Sequence, residues 1–483
     1  MIITRSWLEE FIDISKIPTD DICKTLNAIG FEVDSLERIS IAPKVVIGKV
    51  LEKEKHPDAD KLNICQVDLG THQVQIVCGA KNVEAGQFVP VATVGCDLGN
   101  NFVIKEAKLR GVESNGMICS ATELGLPKLN DGILELDDSI GELVLGKELK
   151  EYSKLNDDII EIGLTANRGD CLSINGIVRE LGAFYSIVLI ECDKKINYNK
   201  LGIGQLLEIE CDKHIDSSLS FIVIDFSDFK LNVLQKLRTA IIGKFQENND
   251  VKNILTYTTH TTGVILNAYS KEKTIKGENL NIMYIKKDEL GFDNIYGTEQ
   301  LSKICVEHNE IDTNDTSFII EASYINPELI SKKVFDAKIK TGEVYYKASR
   351  GSEPNIDYGI NYLSTLVSKS GASVYGGCET FVEDKEKLTL DISVNKINAI
   401  IGQEIPKIEI ERILVSLGFG VKDIGSILVI KVPYYRHDIK NIADITEEIV
   451  RIIGIDNIIA KPLQIDEVNR VNKTSNDLIK KNK

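Results

Sequence analysis

Residues 427–454 read ILVIKVPYYRHDIKNIADITEEIVRIIG. The apolar run from Ile427 to Val432 predicts a strand, and Pro433 ends it. A charged turn follows, then a periodic stretch that predicts a helix stopping at Gly454. On that helix Asp444, Glu447 and Glu448 stand at i, i+3 and i+4, a spacing that shares one face, and Asp438 lies just upstream. Residues 159–182, IIEIGLTANRGDCLSINGIVRELG, run in the same order. There too an apolar run leads to Arg-x-Asp (Arg168 and Asp170, against Arg436 and Asp438) and then to a helix that ends on glycine.

The likeness extends backwards. Ile17, Pro18, Ile22, Leu26, Ile29, Gly30, Phe31 and Val33 match Ile405, Pro406, Ile410, Leu414, Leu417, Gly418, Phe419 and Val421, each pair 388 positions apart. The pairs from Ile159–Asp170 to Ile427–Asp438 are 268 apart, and 388 − 268 = 120 residues were inserted into the first copy. A repeat fixes architecture before any single element does. One small helix-and-strand domain therefore occurs twice. Copy one, 1–38 with 151–200, is split by a domain over 39–150, and copy two occupies 385–462. A shared generic amphipathic pattern is the competing reading. It does not explain why the proline, both glycines and the Arg-x-Asp all keep register.

A chain of 483 residues holds several domains. Hydrophobic content of 43% with 27% charged residues describes a soluble globular protein. No run of 18 apolar residues exists and the start, MIITRSWLEEF, has no secretion-signal pattern, so neither a membrane span nor export is expected. The ten cysteines include no Cys-x-x-Cys pair, which argues against a zinc ribbon or redox motif and for a reduced, cytoplasmic setting. The net charge of −16 opposes general nucleic-acid binding, and the acidity of copy two opposes a DNA-binding reading of the repeats. Between Pro43 and Leu129, however, ten Lys and Arg balance ten Asp and Glu.

At the start of the chain, Trp7, Leu8 and Phe11 begin an amphipathic turn. Pro18, Thr19 and Asp20 make a helix start that Gly30 stops. Trp7, the only tryptophan, is most simply a core anchor. The inserted stretch is strand-rich: Val45–Leu51, Leu62–Leu69, Gln73–Cys78 and Phe88–Val94 are separated by polar turns, as in a small oligonucleotide-binding (OB) type barrel. Its segments HPDADKLNICQVDLG (56–70), QIVCGAKNV (75–83) and AKLRGVESNGMICSATELGL (107–126) resemble the barrel module of structure-specific tRNA-binding proteins. Lys105, Lys108 and Arg110 are candidate phosphate contacts, and Ser114, Asn115 and Ser120 candidate hydrogen-bond donors to backbone or 2′-hydroxyl oxygens. With only Phe88 and Phe102 as aromatics, shape and backbone reading is expected rather than base stacking. Taken singly, each cation has a solvated surface charge as its simpler reading.

TANRGDCLSINGIVRELGAF (165–184), the barrel before it and PYYRHDIKNIADITEEIVRIIGIDNI (433–458) are together similar to the larger, β, subunit of bacterial phenylalanine–tRNA ligases. The resemblance is strong over 1–190 and 385–462 and weak between. It implies an α+β multidomain chain: the split domain, the OB-type barrel, a mixed α/β editing-like domain over 201–384, and the second helix-and-strand domain. It implies tRNA(Phe) and a catalytic α subunit in an α2β2 assembly as partners, with ATP as substrate of that assembly and no catalytic residue on this chain. It also implies magnesium shared with the α subunit, with Asp438, Asp444, Glu447 and Glu448 matching the family's ligand pattern at all four places; oxygen donors on one face suit a hard cation.

The editing set departs from the family. In LTYTTHTTGVILNAYS (255–270), Thr256 stands for the family's asparagine and Asn267 for its histidine, and ICVEHNE (304–310) lacks the paired glycines. Glu321 in FIIEAS and Arg350–Gly351 do match. Weak or absent hydrolysis of mischarged tRNA is therefore expected, with Glu321 a remnant. The polar run 463–483 is expected to be a tail, and the chain to lack the family's C-terminal synthetase-like module. The alternative function is a free-standing tRNA-binding protein without a catalytic partner.

Overall fold

The computed structural model describes residues 1–460 apart from 100, 192–195, 197, 213, 278–279, 312–314 and 383–386; the expected tail at 463–483 lies outside the described residues. Pro18 precedes a helix over Thr19–Ala28 whose first turn carries Asp20 and Asp21, as the helix dipole favours. Gly30, at φ 97°, then turns the chain into the Glu32–Arg38 strand. That strand is an edge of a three-stranded antiparallel sheet. Its centre, Asp158–Gly163, comes from beyond the insertion, and its other edge is Ile2–Thr4. The segments before 39 and after 150 thus share one sheet.

Residues 389–453 repeat this plan. Thr389–Ser393, Ile427–Lys431 and Gly420–Ile424 form a sheet of the same order, with the returning strand in the middle. The Lys407–Ser416 helix starts and ends 388 residues after Thr19–Ala28, since 407 − 19 and 416 − 28 are both 388. Likewise Ile442–Ile453 lies 268 residues after Ile174–Tyr185 at both ends. Helix entry differs in detail: Ser173 Oγ accepts from the Gly176 N–H, whereas Asn441 and Asp444 form a reciprocal capping box.

Within the insertion, five antiparallel strands stand in the order Gln73–Cys78, Asn63–Asp68, Val45–Lys55, Phe88–Ala92, Met117–Ile118. Asn63–Asp68 alternates buried and half-buried side chains, the signature of a sheet with one inner face. The long first strand runs to Lys55, past the expected Leu51, because its register shifts between Val50 and Glu52 and the strand bends there. Inside, the barrel is tight: a Cβ on Gly48 would stand 2.7 Å from a Val67 methyl and 2.8 Å from Val91. The open edge is nearly closed by two bonds, Asn115 N–H to the Gln75 carbonyl (2.9 Å) and Val77 N–H to Ser114 Oγ (3.1 Å).

Between barrel and copy two, Ser217–Asp225 lies at the heart of a mixed sheet beside Ser317–Ile325, which in turn pairs with Ile265–Ser270. Eight of its nine residues are buried, so both faces are covered. One face packs with the helices Asp250–Thr262 and Ile356–Lys369 in an apolar cluster that continues into both copies. The other face meets a second sheet containing Asn281–Lys287, Asp293–Tyr296 and Gln300–Lys303. Trp7 is fully buried in the first of these clusters. No helix among the described residues is long and apolar enough to cross a membrane.

Candidate functional site

The three barrel segments that resemble a tRNA-binding module converge. His56 Nδ1 accepts from the Asp58 N–H (3.0 Å), which leaves the proton on Nε2, and Nε2 meets the Leu109 carbonyl at 3.0 Å. Arg110 Nη1 donates to the Asp58 carbonyl (3.1 Å), and Gln75 Nε2 to the Glu113 carbonyl (2.8 Å). The last segment forms a hairpin, Ala107–Leu109 with Val112–Ser114. Arg110 and Gly111 at its tip have φ of 46° and 88°, as a type I′ turn requires.

Beside this hairpin lies a groove of about 660 Å³, lined by Phe102, Lys105, Leu109, Ser114 and Ser120 among others. Of the six candidate tRNA contacts, three line it and three do not. Lys105 is exposed at its wall. Lys108, Arg110 and Asn115 are exposed on the hairpin beyond it, and Lys108 is ion-paired with Glu113 at 3.1 Å. Ser114 departs from expectation: it is buried, accepts from Val77 and donates to the Gly116 carbonyl, so its hydroxyl serves barrel closure. Ser120 is half-buried and donates to Glu123 (2.8 Å). Two features lie outside the sequence expectations. His56 clamps two segments, a role its place in HPDAD could have suggested. Phe102 stands 52% exposed in the groove, so an aromatic face is available there after all.

The four carboxylates expected on one face of copy two are not gathered. Glu448 is buried and bound by Arg436 Nη1 (2.5 Å) and by Arg451 (Nε to Oε1, 2.9 Å). Asp438 accepts two bonds from the same guanidinium, at 2.9 and 2.8 Å. Asp444 Oδ2 accepts the N–H groups of Lys440 and Asn441 at the helix start. Glu447 alone is exposed. Burial by itself would raise the Glu448 pKa, but the hydrogen bonds from Arg436 and Arg451 outweigh it and hold the carboxyl down to about 2. The helix itself is where its spacing predicts; what spacing cannot show is that a cation from the preceding turn already fills the space. As placed, Asp438 and Glu448 are taken up by arginines and do not join Asp444 and Glu447 in one set of four oxygen donors.

Copy one carries the same arrangement. Arg168 binds Asp170 through two bonds of 3.0 Å and Glu180 at 2.5 Å, all three buried. Asp170, Cys171 and Glu180 are the one group of three possible ligand atoms within 4.8 Å of each other among the described residues, and Arg168 sits against all three. Arg350–Gly351 packs against the same turn: a Cβ on Gly169 would lie 1.9 Å from the Arg350 carbonyl.

In the middle region, Glu321 is fully buried between the two sheets, opposite Asn267 in register. The Tyr269 hydroxyl donates to Glu321 Oε2 and lies 2.7 Å from Ser302 Oγ. Burial pushes the Glu321 pKa up. Thr256 instead lines a separate cavity of about 720 Å³ with Lys244, Lys252, Lys347 and His308. The residues standing at the family's editing positions are therefore divided between a sealed interior and an open cavity.

Residues 45–142 match the tRNA binding domain family, and residues 390–455 the tRNA synthetase B5 domain family. The phenylalanine–tRNA ligase beta subunit of Wolinella succinogenes is 45% identical over 98% of this chain and 62% of its own length. That of Campylobacter jejuni is 42% identical over 99% of this chain and 63% of its own. A solved N-terminal fragment of the phenylalanyl-tRNA synthetase beta subunit from Pyrococcus horikoshii aligns with 62% of this chain and 87% of its own at 12% identity and a TM-score of 0.32, too loosely to carry an argument. The chain spans about three fifths of the length of the curated relatives it matches. Over that length it is similar to phenylalanine–tRNA ligase beta subunits.

Proposed function

We propose that the chain acts as the β subunit of a phenylalanine–tRNA ligase, supporting ATP-dependent attachment of L-phenylalanine to tRNA(Phe) in the cytoplasm. What supports this most is that one chain carries both a tRNA binding domain and a B5 domain, and follows β-subunit relatives along 98% of its length. In this reading the 39–150 barrel binds tRNA. The split domain, the 201–384 region and copy two form a scaffold for an α subunit, which holds ATP and the reacting groups. The assembly is proposed to be α2β2. Magnesium belongs to the chemistry of the assembly, and Asp438 and Glu448 take no part in holding it. The deciding experiment is aminoacylation of tRNA(Phe) by the α subunit with and without this chain. Charging that depends on the chain is expected; charging indifferent to it overturns the reading.

The tRNA contact is proposed to centre on the groove and hairpin. A lysine that neutralises a phosphate releases a counterion, so Lys105→Met should weaken tRNA binding and reduce the slope of log affinity against log salt by about 0.7–0.9. Lys108→Met should change it less, because Glu113 already offsets that charge. Phe102→Ala should cost about 1–3 kcal/mol if an unpaired base stacks on the exposed ring. Filter binding across a salt series separates these effects; equal losses for all three variants would sink the assignment.

Editing is proposed to be weak or absent. A general base must reach the attacking water, and Glu321 is sealed behind Tyr269. Tyr-tRNA(Phe) deacylation by the assembled enzyme should stay near the uncatalysed rate. Glu321→Gln should leave that rate unchanged and hold or raise the melting temperature, because it removes an ionisable group from a fully buried site and keeps an acceptor for the Tyr269 hydroxyl. Robust deacylation that is lost in Glu321→Gln would overturn the proposal.

A further inference from the structure

The two copies share more than a fold. Each carries Arg, then Asp two residues on, then Glu twelve residues after the Arg: Arg168, Asp170, Glu180 and Arg436, Asp438, Glu448. All three pairs keep the 268-residue offset (168 + 268 = 436, 170 + 268 = 438, 180 + 268 = 448). In both, the guanidinium grips its Asp through two parallel bonds and its Glu through one. The other two carboxylates of the expected metal set have no counterparts, since Gly176 and Arg179 stand where copy two has Asp444 and Glu447. The duplication thus preserves the ion-paired part of the set and not the remainder.

The two sets also touch. Arg451 binds Glu448 of its own helix through Nε at 2.9 Å and through Nη2. It reaches across to Glu180 of copy one through Nη1, and through Nη2 at 3.2 Å. Its counterpart in copy one is Ala183, so one arginine serves both copies (183 + 268 = 451). Arg179 of copy one lies over the ring of Tyr435 of copy two, 3.9 Å from its centre, while its Nη1 holds Glu353 (3.0 Å). Three arginines, 168, 436 and 451, face four carboxylates, 170, 180, 438 and 448, with side chains at most 11% exposed. A dehydrated divalent cation added here would sit among fixed positive charges that already take its place.

We propose that these seven residues form a charge clamp that docks copy two onto copy one, and that Asp438 and Glu448 serve this clamp rather than a magnesium ion. Asp444 and Glu447, the two carboxylates outside it, are then the oxygen donors left on this helix for a magnesium ion that keeps most of its water.

The test uses the full chain, alone and with the synthetase α subunit. Amide hydrogen exchange is followed in Ile442–Ile453, and Mg2+ is titrated calorimetrically, for the unsubstituted protein, Glu180→Gln, Glu448→Gln and the double variant. Glu180→Gln lies in copy one and touches no expected metal ligand, yet it should speed exchange in the copy-two helix at least tenfold. The double variant should lose less than the two singles combined, because both glutamates share Arg451. Mg2+ affinity should change less than twofold in Glu448→Gln; no measurable Mg2+ binding by the unsubstituted protein supports the clamp equally. Unchanged copy-two exchange in Glu180→Gln overturns the clamp, even if Glu448→Gln fails to fold. A tenfold loss of Mg2+ affinity in a folded Glu448→Gln overturns the reassignment of Glu448.

Discussion

Arg436→Met should destabilise copy two by about 3–5 kcal/mol, the cost of leaving buried carboxylates without their cation. The Arg436 side chain is 2% exposed, and it is the only ion-pair partner of Asp438 among the described residues. Glu448 would keep Arg451, but it would lose the bond at 2.5 Å and gain an uncompensated neighbour in Asp438. Methionine supplies comparable apolar volume, so the loss reports charge and not a cavity. Exchange in Ile442–Ile453 is the direct readout and should accelerate roughly a hundredfold or more. Trp7, the only tryptophan, is a built-in control: it lies in copy one, against Tyr257 and His260, so its emission transition should shift far less than copy-two exchange. Replacing Arg436, Asp438 and Glu448 together by apolar residues should recover much of the loss, because the desolvation penalty goes with the charges. If Arg436→Met alone leaves copy-two exchange unchanged, the buried network contributes nothing to holding the helix.

The repeat is plain in the sequence because its markers have fixed backbone duties. Pro18 and Pro406 precede the first helical residue, and Gly30 and Gly418 adopt φ of 97° and 87° where a side chain would be strained. Helix ends follow from these to the residue. What helical spacing does not reveal is the occupant of the face. Arg436 enters from the turn before the helix, a tertiary relation that periodicity along one element does not encode. The offset holds the missing clue: 180 + 268 = 448 pairs Glu180 with Glu448, although on spacing alone Glu180 is merely one more helical residue. Ser114 departs from its expected role for a similar reason. Its hydroxyl meets Val77 across a barrel edge, a contact between residues 37 apart that no local motif announces. Glu321 matches a family position by letter, but its 0% exposure depends on a second sheet laid over it by strands from 281 to 303.

Trp7→Ala should cost about 3–5 kcal/mol, as expected for a fully buried large aromatic. The indole stacks on Tyr257 with ring centres 4.7 Å apart and planes at 13°. The Arg238 guanidinium lies 5.1 Å from the indole, 1% exposed, and donates to Glu10, Tyr257 and Ser6. Removing the ring takes away the stack, worth about 0.5–1.5 kcal/mol beyond its area, and opens a void beside a buried cation. The first turn of the chain would then lose its hold on the Asp250–Thr262 helix, and with it the edge strand Ile2–Thr4 would loosen. Trp7→Phe separates the causes. The indole N–H has no partner among the described residues, so phenylalanine loses volume but also removes an unsatisfied donor that costs about 1–3 kcal/mol. The Phe variant should therefore fall well short of the Ala variant in its loss, and the difference measures the stacked ring. Urea midpoints by far-UV circular dichroism serve both variants, since neither retains tryptophan fluorescence. Equal midpoints for the Ala and Phe variants would mean that the ring contributes no more than a methyl group at the junction of copy one with the central sheet.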